Sequence, residues 1–215
     1  MMNLRHAVVG GSALLAVLTA AGCSTGGGGD RTEGKASAGA PEVIAYEADY
    51  PVYDSLDAVV KKADTIVKGT VVSSTVKELM PEVSTEGDPL TNPQAGLSKE
   101  EAAEVEPVII TVSKVKVSEV LAGDVKPGDT VEVSQLGGTL GKTTYKEKHT
   151  TTLAKNGTEY VLMLADHGSS PYDLLNPEQA LYTVDKGGKL RPATGGGFED
   201  AGTVGRLKDR TARMK

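Results

Sequence analysis

The sequence predicts a mainly β protein: a small antiparallel barrel of five to six strands, with one helix before it and a candidate helix at its C-terminus. Two observations predict this class. Runs of Val, Ile, Leu and Thr recur between turn signals that contain Gly, Pro or Asn. One run, residues 108–121, is long and changes phase in its middle, as expected of a strand that bends. Closing such a sheet into a barrel removes its exposed edges.

The first regular element is a short amphipathic helix over residues 54–64. Four apolar residues recur there at the spacing of one helix face: Leu56, Val59, Val60 and Ala63. Asp54 or Ser55 can cap its first turn. Residues 65–72 follow as a strand, and Gly69 in its middle predicts a bend or a bulge.

Residues 77–107 break the pattern of short strands. They contain four prolines and an excess of acidic residues. Their one periodic part is 97–105, where Ser98 precedes Glu101 at the spacing of a capping box. We therefore expect a long excursion that carries one short helix, a kind of segment that is usually functional or disordered.

The long strand over residues 108–121 has a defect in its alternation. Ile110 and Val112 share one face, whereas Val115 and Val117 have the opposite parity. An inserted bulge residue at this point is the natural cause of such a slip. A turn over 123–129 then leads to a shorter alternating strand over 130–136.

The second half of the chain continues with short strands. Residues 137–150 are predicted to form a loop or the tip of a hairpin, and Asn156-Gly157 is a strong turn signal. Residues 159–165 are apolar at both parities and should form the most buried strand. Residues 181–185 and 189–191 flank a Gly-Gly turn and predict a compact hairpin.

The C-terminal tail, residues 201–215, is weakly helical from Thr203 onward and strongly basic at its end. Five Lys or Arg residues stand there against one acid, Asp209. Such a tail could bind the phosphates of wall polymers or lipid headgroups. The alternative that we favour is a frayed helix in solvent.

The N-terminus has the layout of a secretory signal peptide. Arg5 gives it a positive start, residues 7–21 are almost uninterruptedly apolar, and small residues precede Cys23. The apolar run is shorter than the roughly 20 residues of a bilayer span. Its end resembles a bacterial lipobox, in which the cysteine is diacylated and becomes the mature N-terminus. The alternative is ordinary secretion with Cys23 as a free thiol.

These signals divide the chain into four parts. Residues 1–22 are the predicted lipoprotein signal peptide, and 23–42 form a Gly- and Ser-rich linker anchored by lipid at Cys23. Residues 43–200 form a single barrel domain, and 201–215 form the basic tail. The predicted location is the outer face of the cell membrane, with the membrane as a partner through a diacylglyceryl group.

Charge and residue counts exclude several functions. The chain has 23 basic and 29 acidic residues, and removal of residues 1–22 takes away one arginine and no acid, which leaves a net charge of −7. Nucleic acid is a poor partner for such a chain. One cysteine allows no internal disulfide. With His149 and His167 as the only histidines of the mature chain, no zinc site and no cofactor are expected.

A resemblance extends over about half of the mature chain. Residues 55–72, 115–133 and 156–164, with Gly137-Gly138 between the last two, resemble uncharacterised secreted proteins and lipoproteins of Gram-positive bacteria of the actinobacterial group. More distantly, the pattern is similar to the OB-type barrel of the netrin and metalloproteinase-inhibitor domains. The resemblance implies an OB-like barrel. It does not imply protease inhibition, because those inhibitors use a free N-terminal cysteine and several disulfides.

Catalytic patterns are weak in this sequence. Residues 137–143 are Gly-rich but lack the first glycine of a phosphate-binding loop. Four glutamates, Glu100, Glu101, Glu104 and Glu106, are expected on a solvated helix face. A hydrolase would need His167 with Asp166 and Ser169 or Ser170, and sequence neighbours rarely form a triad. We therefore predict that the chain is not an enzyme.

The predicted function is a lipid-anchored, extracytoplasmic binding or interaction module. The excursion 77–107 and the loop 137–150 should frame one end of the barrel. The candidate binding residues are three tyrosines, Tyr145, Tyr172 and Tyr182, and the candidate ligands are a peptide, a wall glycan or an envelope protein. A concave pocket would favour a small ligand, and a flat apolar patch would favour an accessory lipoprotein that binds another protein.

Overall fold

The computed structural model describes the following residues: 42–81, 84–88, 90, 92, 94–98, 100–101, 104, 106–168 and 171–215. The predicted signal peptide, Cys23 and residues 24–41 of the predicted linker lie outside this part. The described chain is mainly β, as predicted. None of its helices is long and apolar enough to cross a membrane.

Ten strands and two helices are described. The strands are β1 (Glu42–Tyr46), β2 (Thr65–Leu79), β3 (Val108–Ala122), β4 (Thr130–Leu136), β5 (Gly138–Leu140), β6 (Thr143–Glu147), β7 (Glu159–Ala165), β8 (Tyr172–Leu174), β9 (Leu181–Val184) and β10 (Leu190–Pro192). The helices are α1 (Leu56–Lys62) and α2 (Val204–Ala212), with a 3₁₀ turn at Glu199–Ala201 before α2. Sequence analysis did not predict β1, β5, β6 or β8 as strands.

The strands form two sheets. A small sheet has the order β1-β6-β5, and a large one has the order β10-β9-β7-β2-β3-β4-β8. Because β8 also pairs with β7, the strands β7, β2, β3, β4 and β8 form a ring of five. The expectation of purely antiparallel pairing is wrong at two places, since β4 pairs with β8, and β1 with β6, in parallel.

The predicted bulge lies on the other strand. Opposite Val115 and Lys114 of β3, the partner strand β2 carries one extra residue, Val72, while β3 pairs regularly with β4 through this region. The change of parity in β3 has a different cause: residues 109–113 are buried at every position, so apolar residues occupy both faces. The bend or bulge predicted at Gly69 is present as a shift of register between Lys68 and Gly69, where the backbone of Lys116 also approaches closely.

Strand β2 is longer than predicted and extends into the segment taken for an excursion. It pairs with β3 as far as Leu79 opposite Val108, so the connection begins at residue 80. Within the connection, the predicted capping box is present. The Ser98 backbone N–H donates to Glu101 Oε2 at 2.9 Å, and the Glu101 backbone N–H donates to Ser98 Oγ at 3.2 Å.

Strand β7 separates two apolar clusters, and the prediction that it is the most buried strand is confirmed in its five central residues. Tyr160, Leu162 and Leu164 lie in a cluster with the Val-rich faces of β2, β3 and β4. Val161 and Met163 point to the other side, where they join the apolar residues of α1 and α2. Each face of β7 thus contributes to its own part of the core.

The two helices pack together over the second cluster. Ser55 caps α1 by accepting a hydrogen bond from Ala58 N, and Thr203 caps α2 by accepting one from Arg206 N. The expectation of a frayed tail is wrong, because Leu207 is fully buried and Arg210 bridges Asp57 and Asp200.

Candidate functional site

A cavity of about 540 Å³ lies beside β3 and β4. This volume is within the range of small-ligand sites. Its walls come from the loop after β1, the end of β2, strands β3, β4 and β8, and the segment after β7. Most of the lining is apolar, including Pro51, Leu79, Val108, Ile110, Leu136 and Leu174.

Two glutamine side chains, Gln135 (buried) and Gln179 (half-buried), hold loop segments that line the cavity. Gln135 of β4 donates to Thr151 O and accepts from Leu153 N, each at 2.8 Å, which fixes the segment that carries Thr150. Gln179 accepts from Tyr53 N and donates to Tyr53 O, each at 2.9 Å. These hydrogen bonds attach the segment with Thr150 to β4 of the ring, and Tyr53 to the segment that follows β8.

The first polar group of the cavity is centred on Asp173 of β8. His167 Nε2 lies 3.1 Å from Asp173 Oδ2, and the Ser134 side chain hydrogen-bonds the same carboxylate. The parallel pairing of β4 with β8 places Ser134 opposite Asp173. Burial raises the pKa of Asp173 above its ordinary value, although the charge of His167 and both hydrogen bonds act in the opposite direction.

The second polar group is centred on Tyr50. Its hydroxyl lies 3.4 Å from Thr150 Oγ1, and Thr150 Oγ1 donates to Glu147 Oε2 at 2.9 Å. Glu147 is 5 % exposed, and its Oε1 has no hydrogen-bond partner among the described residues. Burial, together with the negative charges of Glu147 and Asp173, raises the pKa of Tyr50.

The arrangement of Ser134, Asp173 and His167 is not that of a hydrolytic triad. In a triad the histidine lies between the serine and the carboxylate, so that it can take the serine proton. Here Asp173 lies in the middle and contacts both other residues. The trio that sequence analysis considered differs as well: Asp166 is exposed and accepts from Gly168 N, and Ser169 and Ser170 lie outside the described residues.

The three predicted tyrosines are not brought together, and none of them lines this cavity. Tyr145 lies on β6 with its ring 5.5 Å from that of Tyr46. Tyr172 lines a separate depression with Val131. Tyr182 is fully buried, and its hydroxyl accepts from Phe198 N at 3.1 Å.

Two other sequence features have structural explanations. Gly137-Gly138, which resembled part of a phosphate loop, packs closely: a Cβ at Gly138 would lie 2.6 Å from Thr111 Oγ1, and one at Gly137 would lie 2.6 Å from Tyr145 O. Both residues also have positive φ, which favours glycine. His149 is paired with Glu178 at 3.1 Å.

The glutamates of the predicted solvated helix face, Glu100, Glu101, Glu104 and Glu106, are all exposed. Across the described ranges, no group of three or more His, Cys, Asp or Glu residues is placed to hold a metal ion.

Sequence analysis missed Tyr50, Tyr53 and Asp173. The segment 48–53 shows no periodicity, so it gave no sign of being a wall of a cavity. The one available signal was the aromatic content of Tyr50-Pro51-Val52-Tyr53, in a chain with seven tyrosines, one phenylalanine and no tryptophan. The predicted framing segments do contribute, through Leu79 and Pro81 on one side and Thr150 on the other.

No protein-family model matches this sequence, and no curated protein matches it. Functional inference therefore depends on the cavity, its lining and the charges around it.

Proposed function

We propose that this chain is a lipid-anchored, extracytoplasmic binding module that takes a small, mainly apolar ligand into the cavity beside β3 and β4 and does no chemistry on it. The observation that carries this proposal is the cavity itself, about 540 Å³ with a largely apolar wall and two polar groups. Sites of this size and lining typically bury most of a small ligand.

An OB-like barrel is the proposed identity of the ring of five strands. In chain order the five strands of the ring are β2, β3, β4, β7 and β8. The first pairs with the second, and the second with the third. The third pairs with the fifth, the fifth with the fourth, and the fourth with the first. The third and fifth strands are parallel. This is the pairing order of OB folds, and it agrees with the distant resemblance to netrin-type domains.

The position of the cavity supports the same proposal. OB folds bind ligands on the face of their second and third strands, between the loops that follow the first and the fourth. The corresponding strands are β3 and β4, and the corresponding loops contribute Pro81 and His167 to the cavity. A chain with a net charge of −7 after removal of the leader does not suit an oligonucleotide there, so we propose a different ligand.

The proposed location follows from the N-terminal sequence, with residues 1–22 removed and Cys23 diacylated. Two acyl chains suffice for stable membrane attachment. If the 18 residues of 24–41 behave as the flexible linker that their composition predicts, they would span roughly 20–25 Å and keep the cavity near the outer face of the cell membrane. The membrane is then a permanent partner through the diacylglyceryl group, and no cofactor is required.

Binding is tested with a neutral apolar fluorophore, N-phenyl-1-naphthylamine, on the full-length protein in phosphatidylcholine nanodiscs. Ala48 lines the cavity from a loop, and Ala48→Trp would fill part of the space. We expect saturable fluorescence enhancement with the native chain and a large loss of that enhancement with Ala48→Trp. The signal that remains with the variant measures dye that has entered the lipid. Equal signals from both proteins would refute the proposal.

Location is tested by the intact mass of the protein in the membrane fraction, for the native chain and for Cys23→Ala. We expect a diacylglyceryl-sized mass on the native chain, and loss of that mass together with release of the protein in the variant. A native chain that is soluble and carries no added mass would leave Cys23 as a free thiol and would refute the anchor.

A second candidate function is an accessory lipoprotein that docks on another envelope protein. It is favoured by exposed apolar side chains next to the cavity: Val52 is 81 % exposed between Pro51 and Tyr53, and Met80 is 58 % exposed between Leu79 and Pro81. A photocrosslinker at Val52, compared with one at Lys114, tests this function in cells. A discrete adduct with an envelope protein at Val52 alone would favour it.

A further inference from the structure

The hydrogen-bond donors around Tyr50 are committed to a buried carboxylate. Thr150 Oγ1 donates its single hydrogen to Glu147 Oε2. In the contact between Thr150 and Tyr50, the tyrosine hydroxyl must therefore be the donor. Its own proton is then directed at Thr150, and the lone pairs of Tyr50 Oη remain as acceptors for a ligand.

The donors around Asp173 are committed in the same way. Ser134 and His167 both form hydrogen bonds to the Asp173 carboxylate, in the sense that stabilises its charged form. An ionised carboxylate has about four acceptor positions, so two donors leave it with unused capacity.

The charges at this end of the cavity favour the same kind of ligand as the open hydrogen-bond acceptors do. Asp173 lines the cavity and Glu147 lies directly behind Thr150, and both carboxylates are close enough to Tyr50 to raise its pKa. Lys62 also lines the cavity, but it is an exposed residue at the end of α1. An anionic ligand would meet the negative charges of Asp173 and Glu147, whereas a cationic donor would be attracted by both.

We propose that the cavity selects an amphiphile whose apolar body carries a protonated amine, with Asp173 and Tyr50 as the acceptors of the ammonium group. This inference rests on the proposed binding function and adds the class of ligand. Three ammonium hydrogens match the acceptors that these residues leave open, and the apolar body occupies the space lined by Ile110, Leu136 and Leu174.

The test uses three probes with the same six-carbon body: hexylammonium, 1-hexanol and hexanoate. Each is titrated by calorimetry into the full-length protein in phosphatidylcholine nanodiscs, with empty nanodiscs as the blank. We expect hexylammonium to bind about tenfold or more tightly than hexanol, the size of effect that a charge-assisted hydrogen bond gives. Hexanoate should bind more weakly than hexanol.

Two variants locate the preference. Asp173→Asn should bring hexylammonium to the affinity of hexanol, and Tyr50→Phe should weaken hexylammonium several-fold while leaving hexanol unchanged. The matched control is Asp166→Asn, which removes a charge from an exposed neighbour of His167 that does not line the cavity. It should keep the full preference. Thermal unfolding of each variant checks that the fold is intact.

The outcomes separate this inference from the function on which it rests. Hexanoate binding as tightly as hexylammonium, or an unchanged preference in Asp173→Asn, would overturn the inference while apolar binding stands. No binding of the three probes, with normal binding of the apolar fluorophore, would also overturn it. Loss of fluorophore binding in the native chain would refute the cavity as a binding site altogether.

Discussion

The face of the large sheet under the helices and the face beside β3 and β4 are built from the same kinds of residue in opposite ways. Under the helices, Leu56, Val60 and Leu207 are at most 1 % exposed and fill the space over β7. Beside β3 and β4, Leu79 is 50 % exposed, and a cavity remains. The chain supplies its own filling for one face and leaves the other open, which is what a binding site requires.

Charged groups differ between the two faces as well. At the helices, Arg210 bridges Asp57 and Asp200 and so ties α2 to α1 and to the 3₁₀ turn. At the cavity, Asp173 is placed where burial raises its pKa. The charges at the helices therefore tie elements of the fold together, whereas partial burial disfavours the charged form of Asp173.

The largest difference is expected from loss of apolar side chains. Leu207→Ala should lower the free energy of unfolding by about 3 kcal/mol, because it leaves a void in a filled core. Leu136→Ala, on the cavity wall, should cost about 1 kcal/mol, since that side chain is already half-buried. Urea unfolding of both variants measures the contrast, and equal losses would mean that the cavity face is as tightly filled as the helix face.

A smaller effect is expected from the charges at the helices. Arg210→Met should cost about 1 kcal/mol, a modest figure because the side chain remains 25 % exposed. Its exposed counterpart, Lys114→Met, breaks the ion pair with Glu132 and should cost less than about 0.5 kcal/mol. In urea unfolding, the loss of stability in Arg210→Met should be smaller at 1 M salt than at low salt, because salt screens ion pairs. A loss that does not depend on salt would mean that Arg210 stabilises the fold by packing.

At the cavity, removal of a charge should raise the stability of the fold at neutral pH instead of lowering it. Because the pKa of Asp173 is raised, the folded protein keeps this proton to a higher pH than the unfolded chain, and stability falls as pH rises through that window. Asp173→Asn lacks this loss. We expect it to match the native chain near pH 3.5 and to be slightly more stable at pH 7. A variant that loses stability between those values, relative to the native chain, would contradict the placement of Asp173.

The smallest effect is spectroscopic. Burial raises the pKa of Tyr182 to about 12. Absorbance titration at 295 nm should show a step there that Tyr182→Phe removes, and in urea the step should return to the ordinary tyrosine value of about 10. Stability should fall as pH rises from 10 toward 12, because only the unfolded chain then releases this proton easily. A native titration without the late step would place Tyr182 in solvent.

Local patterns predicted those elements whose environment follows from their own residues. The helix with its cap at Ser55, the bend at Gly69 and the doubly buried strand β7 all follow from spacing within a few residues. The same reasoning placed a bulge in β3 because it could not tell a slip of register from a strand covered on both faces.

The cavity could not be predicted in this way. Its polar groups depend on the pairing of β4 with β8, which brings Ser134 beside Asp173 from a distant part of the sequence. Its aromatic residues, Tyr50 and Tyr53, lie in a segment without periodicity, and the amide of Gln179 holds Tyr53 in place. Tyr182 was chosen for its residue type, although its position in β9 directs it into the core.

The position of β7 between its neighbours has a consequence for motion. It pairs with β2 along one edge and with β9 and β8 along the other, and both of its faces are covered. Its amide hydrogens should therefore exchange with solvent only when the whole domain opens. Deuterium uptake at Leu162 and Met163 would then report global unfolding, while uptake near Tyr50 should be faster, because local opening of the cavity wall is enough there.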